Sequence, residues 1–197
     1  MDERLKKQLE FLSVIDRMKS IYRRNVIADG SRRGETDAEH SWHLCLYAIT
    51  LAEYAPRGTD IDRTVRLCLT HDLVEVYAGD TFCYDEAGYR DKEQRERAAA
   101  DRLFALLPPE QEREFHAYWE EFEQNETNEA KFANALDRMQ PFLLNAATDF
   151  HTWHQSAVTA EKILEREAPV KEYFPDVFSY AEACVNDALK SGLIKER

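Results

Sequence analysis

The chain has 197 residues with 26 basic and 38 acidic side chains, which gives a formal net charge of −12. This excess of negative charge opposes general binding to the backbone of nucleic acids or to anionic membranes, and we expect neither as a partner. The sequence has no apolar run of the roughly 18 residues that a transmembrane helix needs, and its charged start is not typical of a signal peptide. Four cysteines without paired spacing predict free thiols in a reducing cytoplasm rather than disulfides or a zinc ribbon.

The composition favours an all-α protein. Only six glycines and six prolines occur, whereas leucine, alanine, glutamate and arginine, which favour helices, are plentiful. The length fits one domain with a sizeable core. We therefore predict a single-domain helical bundle over residues 1–197, with its core at about residues 10–150 and C-terminal helices at about 156–192 packed on that core.

An amphipathic first helix is predicted from residue 3 to about residue 22. Its inner stripe is expected to consist of Leu5, Leu9, Leu12, Ile15 and Met18. A loop with the sequence YRRNVIADGSRRGETD follows, and Asp29-Gly30 within it is a turn signal. Its four arginines, a basic cluster in an acidic protein, indicate either an ordinary solvated loop or an anion-binding segment.

The second helix is predicted from Asp37 to about Tyr54, with Thr36 or Asp37 as its N-cap. His40 lies one turn before Leu44 and is expected to face the core, where a histidine serves either packing or metal ligation. The residues expected to pack inward beyond it are Leu44, Tyr47, Ile49 and Leu51. We expect His43, on a neighbouring face, to contribute to packing or to support the orientation of a neighbouring group.

The segment HDLVEVYAGD ends a third helix that begins near Ile61, and Gly79 is its expected C-cap. Apolar residues on nearly every side of this segment are typical of a helix that is buried all round. His71, Asp72 and Glu75 interrupt the apolar pattern, and an unpaired buried carboxylate is costly. Two interpretations follow from these residues alone: a metal site in a helical core, or a helix end whose carboxylates pair with arginines.

Further helices are predicted at about residues 90–107 and 109–124, and a long one begins near Thr127. Pro141 in the long helix cannot donate a hydrogen bond to the carbonyl of Asp137, so we expect a kink or a loosened turn there. His151 and His154 are predicted to lie in a loop that lines or covers a cleft. Two final helices are expected at about residues 156–168 and 175–192.

Four polar residues on apolar helical faces stand in a recognisable order: His40, the adjacent pair His71-Asp72, and a distant Asp137. With the stretches AEHSWHL, LTHDLVEVYAGD, WEEF and EAKFANALDRMQP, this order resembles the HD-domain metal-dependent phosphohydrolases. The similarity is greatest to the branch that contains the 5′-deoxynucleotidases, and it covers roughly residues 10–190. The resemblance implies an HD-domain helical bundle with a buried metal site.

The resemblance also implies a cofactor and its ligands. The metal ligands would be His40, His71, Asp72 and Asp137. Two imidazoles and two carboxylates suit one borderline divalent ion, and members of this branch use cobalt, manganese or magnesium. His116 is the one histidine between the His-Asp pair and Asp137, so a single metal ion is expected rather than a dinuclear centre.

Catalytic and substrate-binding roles follow from the same resemblance. Glu75 would orient or deprotonate the attacking water, and Asp80 would assist the leaving alkoxide. Arg23 would clamp the phosphate dianion. Arg24 departs from the family pattern, because a tryptophan that disfavours a 2′-hydroxyl stands at this place in characterised deoxynucleotidases. The preference for deoxyribose over ribose and the choice of base are therefore left open.

The function that the resemblance implies is metal-dependent removal of phosphate from nucleoside or deoxynucleoside 5′-monophosphates, or from a similar small phosphomonoester. The alternatives are a pyrophosphate or alarmone hydrolase of the same superfamily, and a non-catalytic nucleotide-binding protein with a structural metal. Intact Glu75 and Asp80 favour an enzyme over a binding protein. A homodimer is also expected from the resemblance.

Overall fold

The computed structural model describes residues 1–85, 87–155 and 158–196. Within these residues helices predominate, and the sheet consists of two short antiparallel strands, so the predicted all-α class is confirmed. None of the helices in this part of the chain combines the length and apolar character that a membrane crossing requires.

The N-terminal helix, α1, spans Glu3–Ile15 and continues as a 3₁₀ helix over Asp16–Ser20. The segment predicted as a loop forms a hairpin of β1, Tyr22–Val26, and β2, Gly34–Thr36. The helical segment ends two residues before the predicted end at about residue 22. The predicted loop was wrong for the two strands, but Asp29-Gly30 lies in the turn between them, as predicted. An irregularity in the strand pairing leaves extra residues on β1, a local distortion that re-aims side chains at a strand edge.

The predicted inner stripe of the first helix was wrong for its three leucines, although Ile15 and Met18 pack inward as predicted. Leu5, Leu9 and Leu12 are 46%, 46% and 55% exposed, whereas Phe11 and Met18 are buried. The helix packs through the face that carries Phe11, about 100° from the predicted face, and the Phe11 ring meets the Phe115 ring edge-on at 5.2 Å between centroids. An aromatic contact outweighs the three leucines in setting which face is buried.

The second helix, α2, spans Asp37–Thr50, and a 3₁₀ turn follows at Ala52–Tyr54. Thr36 is its N-cap, as predicted, and forms a capping box with Glu39. Leu44 is fully buried, but Ile49 is 57% exposed. The prediction that Ile49 packs inward was wrong because it lies about 140° from Leu44 around the helix.

The third helix, α3, spans Ile61–Thr70, and a turn at residues 71–74 separates it from the short helix α4, Glu75–Ala78. Gly79 ends α4 with φ +77°, as predicted for a C-cap, and its N–H donates to the carbonyl of Glu75. Two expectations were wrong: the helix does not run unbroken to Gly79, and it is not buried all round, since Leu69 is 48% exposed.

The rest of the chain is helical. In order, the helices are α5 Lys92–Phe104, α6 Pro109–Gln124, α7 Asn128–Ala147, α8 His151–Gln155, α9 Ala160–Glu167, α10 Val170–Tyr173 and α11 Pro175–Lys190, with a 3₁₀ turn at Gly88–Arg90. His151 and His154 lie in α8, not in the predicted loop. The predicted helix start at residue 156 falls outside the described residues. Helix α7 runs through Pro141, so the loosened turn at Asp137 stays a prediction.

Helix α7 is the central element of the packing. Leu136 and Met139 join the core formed mainly by α2, α3 and α6, while Phe142 joins a second cluster with Trp153 and Ile163 from α8 and α9. A third cluster lies between α1, α5 and α6. Because α7 contacts both α2 and α3, any polar side chain on its inner face is brought against residues of those two helices.

The corrected face of α1 gives a stability test. We expect Phe11→Ala to lower the free energy of unfolding by about 3–5 kcal/mol, because it removes a buried ring and leaves a cavity. Leu9→Ala, the matched control on the exposed face, should change it by less than about 0.5 kcal/mol. Urea unfolding followed by circular dichroism measures both values. A larger loss for Leu9→Ala than for Phe11→Ala would restore the face predicted from the sequence.

Candidate metal centre and substrate cleft

The structure brings the four residues of the His–His-Asp–Asp pattern together. His40 comes from α2, His71 and Asp72 from the turn after α3, and Asp137 from α7. Asp137 Oδ1 lies 3.0 Å from His40 Nε2 and 3.7 Å from His71 Nε2. Asp72 Oδ2 lies 3.1 Å from His71 Nε2 and 3.9 Å from His40 Nε2.

A hydrogen-bond chain fixes which nitrogen of His40 carries its proton. Gln140 Nε2 is 2.8 Å from a carboxylate oxygen of Glu35, which can only accept. Gln140 Oε1 therefore faces His40 Nδ1 at 3.0 Å and accepts a hydrogen bond from it. The same Gln140 amide donates towards His43 Nδ1 at 3.1 Å. This leaves His40 Nε2, 3.0 Å from Asp137 Oδ1, as the nitrogen that a metal ion would bind.

His71 is oriented in the same way by the backbone. Its Nδ1 is 2.9 Å from the carbonyl of Cys68, which can only accept, so Nδ1 carries the proton. Its Nε2 is buried and has no hydrogen-bond partner. The break in the helix after Thr70 leaves this carbonyl within reach of the ring. His71 Nε2 is therefore the nitrogen that faces Asp72 and Asp137 and that a metal ion would bind.

Two carboxylates and two imidazole nitrogens gathered this closely favour a cation among them, either a ring proton or a metal ion. Burial alone would raise the pKa of Asp72, but the charges of His71 and Arg23 hold it below its usual range. Burial would lower the pKa of His71, yet Asp72 and Asp137 raise it to about 10. Both shifts show that this point favours positive charge. The donor set fits a divalent metal ion, with Gln140 and Cys68 supporting the two histidines.

Asp37, Glu75 and Asp80 form a second acidic cluster, with an oxygen of each within 4.8 Å of the others. Asp37 is fully buried and neither of its carboxylate oxygens has a hydrogen-bond partner. Burial, with the charge of Asp72, raises the pKa of Asp37 to about 7. Burial and the charges of Asp72 and Asp37 likewise raise the pKa of Glu75 well above its ordinary value. This cluster can hold and move a proton.

Arg23 joins the two acidic groups. Its guanidinium donates to Asp72 Oδ2 at 2.7 Å and lies 3.6 Å from Asp37 Oδ1. The hairpin places it there, because Arg23 lies in β1 and nearby Asn25 in the same strand donates to the carbonyl of Pro141 in α7. With only 15% of its side chain exposed, Arg23 is held at the edge of the metal-ligand cluster.

A cleft of about 210 Å³ opens beside these groups. It is lined by Asp80 and by two arginines that the sequence analysis missed, Arg138 and Arg166. Arg138 directly follows Asp137 in α7, and this position could have identified it as a cleft residue. Arg166 is in α9, and nothing in the sequence around it indicated that it lines the cleft. Asp37 was considered only as a helix cap, although its position three residues before His40 puts it on the same face of α2.

The remaining histidines lie elsewhere. His116 packs edge-on against Phe104 and lies 3.8 Å from Asp101, and it does not line the cleft. His151 contacts Arg32, and neither His151 nor His154 lines the cleft.

A helical bundle that gathers two histidines and two aspartates from three separate segments defines a class of metal-binding helical proteins. A model of the HD domain matches residues 15–178. Because this match covers most of the chain, the protein belongs to the HD-domain family, and the resemblance stated from the sequence is confirmed.

Named relatives support the same branch. The 5′-deoxynucleotidase HDDC2 of Xenopus laevis is 30% identical over 138 residues, which is 70% of this chain and 67% of that protein. HDDC2 of Homo sapiens is 30% identical over 135 residues, 68% of this chain and 65% of that protein. The aligned part of the chain thus spans about two thirds of these relatives.

Two solved structures share the fold. A protein of Magnetospirillum magnetotacticum MS-1, described as a predicted metal-dependent phosphohydrolase, is 46% identical with a TM-score of 0.88, covering 98% of this chain and 96% of that one. A conserved hypothetical protein of Pyrococcus furiosus is 17% identical with a TM-score of 0.65, covering 89% of this chain and 99% of that one. The second similarity shows the fold alone.

The role of Gln140 can be measured without turnover. We expect Gln140→Leu to weaken metal binding about 10–100-fold, because the proton of His40 is then no longer fixed on Nδ1. Calorimetric titration with Mn²⁺ measures the affinity, and Gln124→Leu at the exposed end of α6 is the matched control. Wild-type affinity in a folded Gln140→Leu protein would contradict the proposed supporting role.

Proposed function

We propose that this protein is a one-metal phosphomonoesterase that removes phosphate from nucleoside 5′-monophosphates, deoxynucleotides included. The supporting observation is the convergence of His40, His71, Asp72 and Asp137 on one point, with Arg23 and an acidic cluster beside it. The 5′-deoxynucleotidase names of the relatives point to nucleotides as the substrate class.

The metal ion would be held by those two histidines and two aspartates. Mixed nitrogen and oxygen ligands suit cobalt, manganese or magnesium, and we propose one of these. When bound, such an ion supplies Lewis acidity towards a phosphoryl oxygen and lowers the pKa of water.

Glu75 is the proposed general base. It is buried at the edge of the metal-ligand cluster, and burial and its acidic neighbours raise its pKa. A carboxylate with a raised pKa is a stronger base towards water, which is the property that proton abstraction needs. Asp37, beside Glu75 in the acidic cluster, can then receive the proton or share it with Glu75.

Asp80 and Arg23 act on the other parts of the substrate. Burial raises the pKa of Asp80, which helps this carboxyl hold the proton that the leaving alkoxide requires. Arg23, already ion-paired with two aspartates at the cleft, offers its remaining N–H groups to the equatorial phosphate oxygens, where charge is spread during transfer. In this proposal Asp80 acts on the leaving oxygen, and Arg23 binds the equatorial phosphate oxygens.

Arg24 forms one wall of the cleft. Its guanidinium lies 5.8 Å from the centroid of the Phe82 ring, and both residues line the cleft. A guanidinium can donate hydrogen bonds, and a ribose 2′-hydroxyl can accept them. We therefore propose that the protein accepts ribonucleotides as well as deoxyribonucleotides.

A phosphate-release screen tests the function. Matched deoxyribonucleoside and ribonucleoside 5′-monophosphates are offered with Co²⁺, Mn²⁺ or Mg²⁺, and a chelator serves as the control. We expect metal-dependent release from both series. Release that persists in the chelator, or no release from any nucleotide with any of the three ions, would contradict the proposed function.

Glu75 is tested by Glu75→Gln, which keeps the shape of the side chain. We expect kcat to fall by about a hundredfold or more, because the general base is lost, while the affinity for Mn²⁺ remains comparable. Glu93→Gln, on the exposed face of α5, is the matched control. Retained turnover in Glu75→Gln would remove Glu75 from the mechanism.

The organisation of the protein completes the proposal. We propose that the chain works as one domain, that it forms a homodimer, and that it acts in the cytoplasm. The match of one family model to residues 15–178 supports the first statement. The free state of Cys45, Cys68, Cys83 and Cys184 is compatible with the last.

A further inference from the structure

Arg138 and Arg166 line the metal cleft and also an adjoining chamber of about 550 Å³. The cleft itself, at about 210 Å³, is smaller than the roughly 300–1,000 Å³ of ordinary small-molecule sites. The adjoining chamber offers the room that the leaving part of a substrate needs. The path of that part leads past these two arginines and past the rings of Tyr84 and Tyr89.

The two arginines are weakly paired within the protein. Within the described residues Arg138 makes no ion pair, and its hydrogen bond is a long one of 3.4 Å to the carbonyl of Asn134. Arg166 reaches Asp137 Oδ2 only at 3.8 Å. Two other basic residues of the cleft are closely paired, Arg23 with Asp72 at 2.7 Å and Lys92 with Glu96 at 2.7 Å.

The two guanidinium groups lie near each other, because both line the cleft and the chamber. Both side chains are half-buried. Two neighbouring half-buried cations with so little direct pairing are the arrangement of an anion site.

We propose that Arg138 and Arg166 form a second anion subsite, and that the preferred substrate carries a second anionic group on the part that leaves. This inference rests on the proposed function, because it assigns the scissile phosphate to the metal centre. The subsite would select phosphomonoesters whose leaving group bears a further phosphate or a carboxylate. A simple nucleoside monophosphate would leave the two cations unpaired.

Binding is measured first, in the metal-loaded Glu75→Gln protein, so that turnover does not interfere. Calorimetry compares deoxyadenosine 3′,5′-bisphosphate with deoxyadenosine 5′-monophosphate. We expect the bisphosphate to bind at least about tenfold more tightly, because one added hydrogen bond between charged groups strengthens binding by about this factor. Adding Arg138→Gln or Arg166→Gln should remove that advantage, whereas Arg113→Gln, on an exposed part of α6, should keep it.

A second pair of ligands distinguishes the two anionic groups. The affinity for phosphoglycerate is compared with that for glycerol phosphate, and the difference shows whether the subsite binds a carboxylate. The bisphosphate and monophosphate pair shows in the same way whether it binds a phosphate. Equal affinities within both pairs, or an advantage that survives both arginine substitutions, would overturn the subsite. Metal titration of each variant separates loss of the subsite from disturbance of Asp137, since only the latter weakens Mn²⁺ binding.

The proposed function is judged apart from the subsite by turnover in the wild-type protein. Hydrolysis of the monophosphate without preference for a second anionic group contradicts the subsite alone. Bisphosphate binding that depends on both arginines, without hydrolysis of any phosphomonoester, contradicts the proposed function alone.

Discussion

The site depends on two imidazole rings that are each held by a hydrogen bond at Nδ1. His40 Nδ1 donates to the side-chain oxygen of Gln140, and His71 Nδ1 donates to the carbonyl of Cys68. Both Nε2 atoms are thereby turned towards the carboxylates of Asp72 and Asp137. Two ring nitrogens and two carboxylates this close together favour a cation at this point, and a divalent metal ion can take the place of the ring protons.

The same arrangement sorts the acidic residues by their charge state. Asp72 is surrounded by positive groups and has a lowered pKa, whereas Glu75 and Asp37 lie next to it with raised pKa values. Carboxylates a few ångströms apart thus become suited to different tasks, one to ligation and the others to holding a proton. Arg23 bridges Asp72 and Asp37 and so couples the two sets.

The meeting of His40, His71, Asp72 and Asp137 was predicted from the resemblance to the HD-domain proteins, which rested on the order of these polar residues on apolar helical faces. Their supporting groups could not be predicted in the same way. Gln140 lies in α7, but its contact with Glu35 spans 105 positions and depends on the hairpin. Arg166 reaches the cleft from a separate helix, and no local sequence pattern predicts this position.

Local patterns also failed where a few tertiary contacts decide the outcome. The hairpin was missed because its strands are short and rich in polar residues, and contacts such as that of Asn25 with Pro141 hold it against α7. On α1, three leucines predicted one buried face, but the ring of Phe11 packs against Phe115 and turns the helix. In both places, packing with a distant helix overrides the periodicity of the segment itself.

The most direct test of the account is to locate the bound cation by anomalous diffraction from crystals grown with Mn²⁺. The account predicts one strong anomalous peak about 2 Å from His40 Nε2, His71 Nε2 and a carboxylate oxygen each of Asp72 and Asp137. A peak that lacks either histidine or Asp137 among its ligands, or no peak between these groups, would contradict it.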